Sequence, residues 1–183
     1  GDTDSTSIAG LHLHTWAALG RLSGQVPLIG IAAGRCFAGN AALLGCCDVI
    51  IATQNSNIGM GGPAMVEGGG LGVYTPEQIG PSDVQHRNGV IDVLVPDEAE
   101  AVKVARHYLS FFQGPLKDWL VHDGQVLRDA LPENRVRAYD MRRVMDGVAD
   151  RDSLLELRAG FGHGIFTALA RIEGRSVGIL ANN

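Results

Sequence analysis

A run of small residues between Gly34 and Asp48 is the part of the sequence best suited to chemistry. It follows an apolar stretch and includes Ala38, Gly39 and Asn40 at the predicted start of a helix. The first N–H groups of a helix lack partners inside the helix and lie at the positive end of its dipole. Small side chains would let a ligand oxygen reach them. The pattern predicts an oxyanion site, but tight packing of a helix on a sheet accounts for the composition equally well.

The composition is that of a globular protein and argues against two classes of partner. The 183 residues include 45% hydrophobic and 19% charged side chains, with a formal net charge of -5. That charge disfavours a nucleic-acid surface and supplies no basic stripe for a membrane surface. The apolar runs are well short of the roughly 20 residues that cross a bilayer. We therefore expect no nucleic acid and no membrane among the partners.

The cysteines and histidines predict neither disulfides nor a metal site. Cys36, Cys46 and Cys47 form no C-x-x-C pair. Because Cys46 and Cys47 lie in an apolar stretch, we expect buried, reduced thiols and a cytoplasmic protein. Cys36 is expected to pack and not to act as a nucleophile, because no histidine lies near it in sequence. The six histidines are scattered, and we predict no metal site.

Strands and helices alternate around the small-residue run. Apolar residues recurring three apart predict an amphipathic helix over Ser5–Leu22. Further along the chain we predict buried strands at Val26–Ala33 and Val49–Ala52, a helix between them at Ala38–Cys47, a strand at Gly89–Val95 and a helix at Asp97–Phe112. Asp97 and Glu100 form the D-x-x-E pattern of a helix start. This alternation predicts an α/β layer fold.

The stretch Asn55–Gly80 is rich in glycine and is predicted to be mostly loop. Residues Gly59 to Ala64 fit the G-x-G-x-x-A pattern of dinucleotide-binding proteins. We disfavour that interpretation because Pro63 is expected to fit the start of a helix poorly and because no suitable acidic residue follows the next strand. A glycine-rich wall of a substrate pocket is the preferred interpretation.

The chain is organised differently after Phe112. Turn residues dominate a polar connecting segment, and Tyr139–Val148 predicts a short basic helix. Two strands, Phe166–Ile172 and Ser176–Leu180, are predicted to form a hairpin with the three-residue loop Glu173–Arg175.

Three parts follow from this organisation. They are the C-terminal part of a first domain at 1–112, a linker with a short helix at 113–150 and the first strands of a second, truncated domain at 151–183. Because the sequence has no initial methionine and ends just after a strand-like run, we expect an internal piece of a longer protein.

The segment Gly34–Asp48 resembles the crotonase superfamily, in which a strand is followed by small residues, an oxyanion-binding glycine and a helix that leads to Cys-Asp. The resemblance implies the ClpP/crotonase-like fold, built from β-β-α superhelix units. It also implies that Gly39 supplies an oxyanion N–H, flanked by Ala38 and Asn40. The hydratase branch has a glutamate where this chain has Ala42, and a second one in the loop that here reads Met60–Ala64. A hydratase mechanism is therefore disfavoured.

The glycine-rich stretch resembles one branch of the superfamily, the beta-subunit type carboxyltransferase component of biotin-dependent acyl-CoA carboxylases. The first similar segments are Gly59–Pro63 and Glu67–Gly72. Others follow in order along nearly the whole chain, at Ile79–Val90, Asp97–Ala99, Tyr108–Leu109, Pro132–Glu133, Tyr139–Arg142 and Ala170–Asn182. The family often has Gly-Gly-Ala where this chain has Gly39-Asn40-Ala41, so the Asn40 side chain is expected to narrow or polarise the pocket.

This family moves a carboxyl group from carboxybiotin to the carbon alpha to an acyl-CoA thioester. The resemblance implies a catalytic oxyanion hole at the backbone of Gly39 and Asn40. It implies substrate contacts at Cys36, Phe37, Ala38, Gly61, Gly62 and Pro63. A second oxyanion site would lie beyond Asn183, so we expect this chain alone to be inactive. The implied partners are acyl-CoA, biotin carboxylase and biotin carboxyl carrier domains or subunits, and further copies of the chain, with biotin attached to the carrier.

Two alternatives remain open at this point. An enoyl-CoA hydratase/isomerase-like enzyme or an acyl-CoA decarboxylase of the same fold would turn over without biotin, and a non-catalytic assembly subunit would bind neither CoA nor biotin. The role of Arg35 is also open, between a CoA phosphate and a partner subunit. The sequence does not choose among acyl-CoA substrates.

Overall fold

The computed structural model describes residues 14–134 and 136–183, in which short strands alternate with helices. In chain order the elements are α1 (His14–Leu22), β1 (Ile29–Ala32), β2 (Arg35–Phe37), α2 (Gly39–Gly45), β3 (Val49–Thr53), β4 (Asn57–Gly59), α3 (Pro63–Gly68), a 3-10 turn (Pro76–Gln78), α4 (Ser82–Arg87), β5 (Val93–Val95), α5 (Glu98–Ser110), α6 (Gln125–Ala130), α7 (Met141–Val148), β6 (Leu155–Leu157), β7 (Ile165–Ile172) and β8 (Arg175–Asn182). The α/β alternation predicted from the sequence is confirmed.

The strands of the described residues form three small sheets. The first is parallel, in the order β1-β3-β5, and the second is the parallel pair β2-β4. The third is antiparallel, in the order β6-β7-β8. Every residue of β3 is buried, because this central strand is covered on both faces. Its continuous apolar sequence follows from that position.

Several predicted boundaries shift. The helix predicted over Ser5–Leu22 is present from His14, and its earlier part lies outside the described residues. The strand predicted from Gly89 begins only at Val93, because Gly89 has a φ of 77° and belongs to the turn after α4. The cap of α5 is confirmed, since the Asp97 carboxylate accepts the Glu100 N–H at 2.9 Å.

The hairpin loop is shorter than predicted. Ile172 pairs with Arg175, so Arg175 belongs to β8 and only Glu173 and Gly174 form the loop. Their φ angles of 50° and 73° are both positive. This is the two-residue connection that suits the right-handed twist of the flanking strands.

Two hydrophobic clusters lie on opposite sides of β3. Alternate residues of the strand enter different clusters, Ile50 with Leu44 of α2 in one and Ile51 with Tyr108 of α5 in the other, as the two-residue period of a strand requires. Leu155 of β6 joins the second cluster, so the third sheet packs against α5 and the first sheet. The division into three parts at 112 and 150 stays a prediction.

Asp92 connects the first sheet to the third by accepting hydrogen bonds from residues of both parts. This buried carboxylate accepts the Ile50 N–H at 2.8 Å and the Arg158 Nε–H at 2.8 Å. The Arg158 N–H also donates to the Asp92 carbonyl oxygen, at 2.8 Å. Asp92 therefore links β3 to the residue that follows β6.

We expect Asp92→Ala to lower the free energy of unfolding by about 3 kcal/mol, because it leaves a buried N–H and a guanidinium without their acceptor. Urea denaturation monitored by circular dichroism would measure the change. Asp83→Ala is the control, since it removes an exposed pair with Arg87 at 3.0 Å. That pair is worth about 0.5 kcal/mol or less. Equal losses for the two variants would contradict the role given to Asp92.

Candidate functional site

Strands β2 and β4 bring two helix N-termini to one edge of the molecule. The strands pair in parallel with Phe37 opposite Gly59. After its last residue β2 reaches α2 through Ala38, and β4 reaches α3 through the residues 60–62. Parallel pairing places the ends of both strands at the same edge, which is where ligands bind in open α/β sheets.

Ala38 holds the turn between β2 and α2 in an unusual conformation. Its φ of 54° and ψ of -124° are rarely adopted by a residue with a side chain. The Ala38 N–H donates to the Gly59 carbonyl at 3.1 Å, and its carbonyl accepts the Ala42 N–H at 3.0 Å. These two hydrogen bonds offset a backbone strain of about 1–3 kcal/mol. The Ala38 N–H is thus occupied, so the N–H groups open to a ligand begin at Gly39.

The open N–H groups are those of Gly39, Asn40 and Ala41, the first three residues of α2. Helical geometry gives them no partner inside α2, and no other acceptor in the described part of the chain pairs with them. Gly39 and Asn40 are exposed, whereas Ala41 is buried. The two residues predicted to form the oxyanion hole therefore present free backbone donors at the surface.

Trp16 is a neighbour of this site that the sequence did not reveal. A Cβ built on Gly39 would lie 3.8 Å from Cζ2 of Trp16, a residue of α1. The two residues are 23 positions apart in sequence. The indole therefore flanks the first turn of α2.

Phe37 packs between the two strand ends. A Cβ built on Gly59 or on Gly62 would lie 3.6 Å from the Phe37 ring, so the ring packs closely against both glycines. Pro63 is the first residue of α3, contrary to the expectation that it would fit a helix start poorly. Proline is favoured there, because the N–H it lacks would have had no partner inside the helix. The structure thus brings the predicted contacts Phe37, Gly61, Gly62 and Pro63 to the edge that holds Ala38.

A cavity of about 490 Å³ lies beside the start of α2, between α1, β1, β2 and α2. Of the predicted site residues, Cys36, a predicted substrate contact, and Asn40, a predicted oxyanion-hole residue, line it. Phe37, Ala38, Gly61, Gly62 and Pro63 do not, because they lie at the ends of β2 and β4. The predicted site residues therefore divide between the cavity and the strand ends.

The three cysteines are free thiols, but the expectation that Cys46 and Cys47 are both buried was wrong. Cys46, at the end of α2, is exposed, and Cys36 and Cys47 are half-buried against the cavity. Burial raises the pKa of the Cys36 thiol, and the pKa of Cys47 is raised by burial and then by Cys46 and Asp48. A raised pKa keeps a thiol protonated near neutral pH, which agrees with a packing role for Cys36.

Arg35 forms an exposed ion pair with Glu77, with Nη2 at 2.6 Å from Oε1. The backbone hydrogen bond that the Glu77 carboxylate accepts lowers its pKa, and Arg35 lowers it further. The contact joins β2 to the 3-10 turn near the end of the glycine-rich stretch. A role for Arg35 toward a CoA phosphate or a partner subunit stays a prediction.

The segment that ends at Gly80 forms hydrogen bonds with β4. Ile58 N–H donates to the Gly80 carbonyl at 2.8 Å, and the Asn57 side-chain amide donates to the carbonyls of Glu77 and Ile79 at 3.1 and 3.2 Å. Gly80 has a φ of 57°, and a Cβ there would be 1.8 Å from the Ile58 carbonyl oxygen. Only glycine allows this approach.

Gly80→Ala is expected to lower the free energy of unfolding by about 3 kcal/mol, through backbone strain and displacement of the segment from β4. Gly114→Ala is the matched control. Gly114 has a φ of 84° but nothing within 4 Å of a Cβ, so its replacement adds strain without a clash. That strain costs about 1 kcal/mol. Thermal and urea unfolding of both variants would measure the difference, and similar losses would show that the contact with Ile58 is unimportant.

The described residues also lack two other kinds of feature. Within them no three histidine, cysteine, aspartate or glutamate side chains converge on a point where a metal ion could sit. Nor does this part of the chain contain a helix with the length and apolar character needed to cross a membrane.

Comparison with known proteins identifies the class. The family profile of the carboxyl transferase domain matches residues 14–183, and the chain belongs to that family. A solved structure described as a single-chain, multi-domain long-chain acyl-CoA carboxylase is 55% identical and superposes with a TM-score of 0.92. The match covers 100% of this chain and 18% of the chain in that structure. The chain thus has the crotonase-like fold of carboxyltransferases, as the sequence resemblance predicted.

Two further relatives agree with this assignment. The transcarboxylase 12S structure, described as a hexamer with methylmalonyl-CoA bound, is 31% identical with a TM-score of 0.76, over 92% of this chain and 34% of that one. The biotin-dependent 3-methylcrotonyl-CoA carboxylase beta1 subunit of Mycobacterium tuberculosis is 30% identical over 86% of this chain and 32% of its own length. The chain therefore spans about a third of the length of the curated relatives it matches.

Proposed function

We propose that this chain is the acyl-CoA side of a carboxyltransferase that moves a carboxyl group from carboxybiotin to the alpha carbon of an acyl-CoA. The observation that carries the proposal is the pair of free, exposed N–H groups at Gly39 and Asn40, in a chain of the carboxyl transferase family. The hydrogen bonds of Ala38 fix the direction of that pair before substrate arrives.

The chain's contribution to the reaction would be electrostatic. The thioester carbonyl oxygen would accept hydrogen bonds from the N–H groups of Gly39 and Asn40. When the alpha carbon loses its proton, the negative charge of the enolate collects on that oxygen. Donors already aimed at the oxygen stabilise the enolate more than the neutral thioester, and one such donor is worth about 3–4 kcal/mol in the transition state.

Proton removal is not assigned to this chain. Ala42 and the Met60–Ala64 loop occupy the positions that hold the two acid–base glutamates in the hydratase branch. Neither carries a carboxylate in this chain. Carboxybiotin, borne by a carrier domain, would supply the carboxyl group as a substrate. Its nitrogen–carboxyl bond breaks, a bond from the carboxyl carbon to the alpha carbon forms, and the biotin nitrogen ends with the proton that the alpha carbon lost. No residue described in this chain is assigned to hold it, and we expect its oxyanion site beyond Asn183. The chain by itself should therefore be inactive.

The relatives suggest the partners and the substrate class. The relative with 55% identity is described as a long-chain acyl-CoA carboxylase in a single, multi-domain chain, and the 12S relative as a hexamer. We therefore propose a long-chain acyl-CoA as substrate, biotin carboxylase and biotin carboxyl carrier domains as partners, and an oligomer of several copies. A cytoplasmic location is part of the same proposal.

Carboxyl transfer from carboxybiotin to palmitoyl-CoA and propionyl-CoA, assayed on the complete protein that contains this chain, tests the proposal. We expect turnover that requires biotin. Turnover without biotin would favour the hydratase-like or decarboxylase alternative. A melting temperature unchanged by saturating acyl-CoA, together with no turnover, would favour a non-catalytic assembly subunit.

A further inference from the structure

The side chain of Gln85, in α4, reaches back to β4. Its Nε2–H donates to the Ile58 carbonyl at 2.6 Å, and the contact is partly buried. Gly80 leaves the space for that amide, since a Cβ on Gly80 would lie 2.9 Å from the Gln85 Nε2. The Ile58 N–H in turn donates to the Gly80 carbonyl at 2.8 Å. Both backbone polar groups of Ile58 therefore have partners, and one of these partners is a side chain.

The hydrogen bond from Gln85 acts on the peptide group that joins Ile58 to Gly59. Because a peptide group is planar, a bond to the Ile58 carbonyl also fixes the plane through which the chain enters Gly59. Glycine has more conformational freedom than other residues, so the direction of the Gly59 carbonyl depends on such neighbouring contacts. That carbonyl accepts the Ala38 N–H at 3.1 Å. A single residue, Gly59, therefore separates the peptide held by Gln85 from the turn at Ala38.

The turn at Ala38 is expected to relax if this hold is weakened. Its φ of 54° and ψ of -124° are unfavourable for a residue with a side chain. Such a conformation persists only where the surrounding structure holds it. The ψ angle of Ala38 sets the plane of the peptide that carries the Gly39 N–H. Relaxation of Ala38 would therefore turn the Gly39 N–H away from its present direction.

We propose that Gln85 is a positioning residue for the oxyanion hole, acting on Ala38 through the Ile58–Gly59 peptide. The inference rests on the proposed function and adds to it a residue that has no assigned contact with substrate. The competing explanation is that Gln85 only attaches α4 to β4. In that case its loss lowers stability and leaves the turn at Ala38 unchanged.

Two variants separate these explanations. Gln85→Met removes the donor and keeps the length of the side chain. Ser82→Ala is the matched control, because the Ser82 hydroxyl is a second side-chain donor of α4, bonded to the Gln54 carbonyl at 2.7 Å. Each variant loses one hydrogen bond between α4 and the residues 54–59, but only Gln85→Met affects the Ile58–Gly59 peptide. Both should lower the melting temperature of the complete protein by similar amounts.

Hydrogen exchange of single amides, followed by mass spectrometry, reports on the turn without any turnover. In the complete protein, the Ala38 N–H of Gln85→Met is expected to exchange about tenfold faster than in wild type, since its acceptor is less firmly held. The Asp48 N–H, which donates to the Leu28 carbonyl at 2.8 Å, is the internal reference and should change less than about twofold. Ser82→Ala should leave both rates within about twofold. An unchanged Ala38 rate in folded Gln85→Met would overturn the proposal.

Steady-state kinetics, measured below the melting temperatures of both variants, give a second result. Gln85→Met is expected to lower kcat for carboxyl transfer about tenfold and to change the KM for acyl-CoA less than about twofold, because aimed donors stabilise the enolate more than the thioester. Ser82→Ala should keep its kcat within about twofold of wild type. Equal losses of kcat in the two variants would assign Gln85 to stability alone and overturn the positioning role.

The two proposals fail differently. Wild-type protein that carboxylates neither palmitoyl-CoA nor propionyl-CoA would overturn the proposed function, while the exchange of the Ala38 N–H still shows whether Gln85 holds the turn. Wild-type turnover, with an unchanged Ala38 rate and kcat in Gln85→Met, would overturn the positioning role alone. Gln85→Asn replaces Gln85→Met in both experiments if the latter does not fold, because it keeps the amide but withdraws it from Ile58 by one methylene group.

Discussion

Gly39→Pro in the complete enzyme is expected to lower kcat for carboxyl transfer about 100- to 1,000-fold, the usual effect of losing one oxyanion donor. Proline removes the N–H that we assign to the enolate oxygen. It also suits the first position of a helix, so α2 should persist. Steady-state assay with carboxybiotin and acyl-CoA measures the loss, and an unchanged melting temperature would show that the fold is retained.

Gly39→Ala is the matched control, because it keeps the N–H and adds only a methyl group. The nearest heavy atom to that methyl would be Cζ2 of Trp16, at the ordinary contact distance of 3.8 Å. We expect its kcat to stay within about threefold of wild type. Full activity in a folded Gly39→Pro variant would remove Gly39 from the mechanism.

The second large effect is on stability, at the buried arginine Arg171. Its Nη1 donates to the carbonyls of Gly114 and Gly174 at 3.1 and 2.6 Å, and its Nη2 donates to the Ser110 carbonyl at 2.5 Å. The side chain is 3% exposed, and its guanidinium lies 5.6 Å from the centre of the Phe111 ring. Because Ser110 ends α5, the cation also lies at the negative end of the helix dipole.

Arg171→Ala is expected to lower the free energy of unfolding by about 4–5 kcal/mol, because three carbonyl oxygens lose a charged donor at once and a cavity is left behind. Urea denaturation measures the change. Arg175→Ala, at an exposed position of the same hairpin, should cost about 0.5 kcal/mol or less. A small effect at Arg171 would mean that water replaces the guanidinium, and would contradict its role in joining α5 to the hairpin.

Asp150 holds the same hairpin loop from the other side. Its Oδ1 accepts the Glu173 N–H at 3.0 Å, and its Oδ2 accepts the Gly174 N–H at 2.7 Å. Arg171 thus donates a hydrogen bond to a carbonyl of the loop, and Asp150 accepts hydrogen bonds from its N–H groups. Together the two side chains anchor the loop. This explains how residues 150–183 are fastened to the end of α5, whatever domain division the complete protein has.

Elements with strong local signals could be predicted from the sequence. The apolar run of β3 and the Asp97 cap of α5 depend on neighbouring residues, and both were confirmed. Strands β2 and β4 were not predicted. Each has three residues, which is too short for a periodic pattern to distinguish it from a turn.

The candidate site, too, could be predicted from the sequence only in part. The small-residue run from Gly34 to Asp48 indicated by itself that free N–H groups would lie at the start of α2, because helix geometry leaves its first donors without partners whatever surrounds it. Its likeness to the crotonase superfamily indicated the class of chemistry, and the family match agrees.

Only the tertiary structure decided which donors are free. The pairing of β2 with β4 commits the Ala38 N–H to Gly59, and the packing of α1 places Trp16 beside Gly39. These contacts join residues more than 20 positions apart. Chain folding brings such residues together, and no local pattern records it.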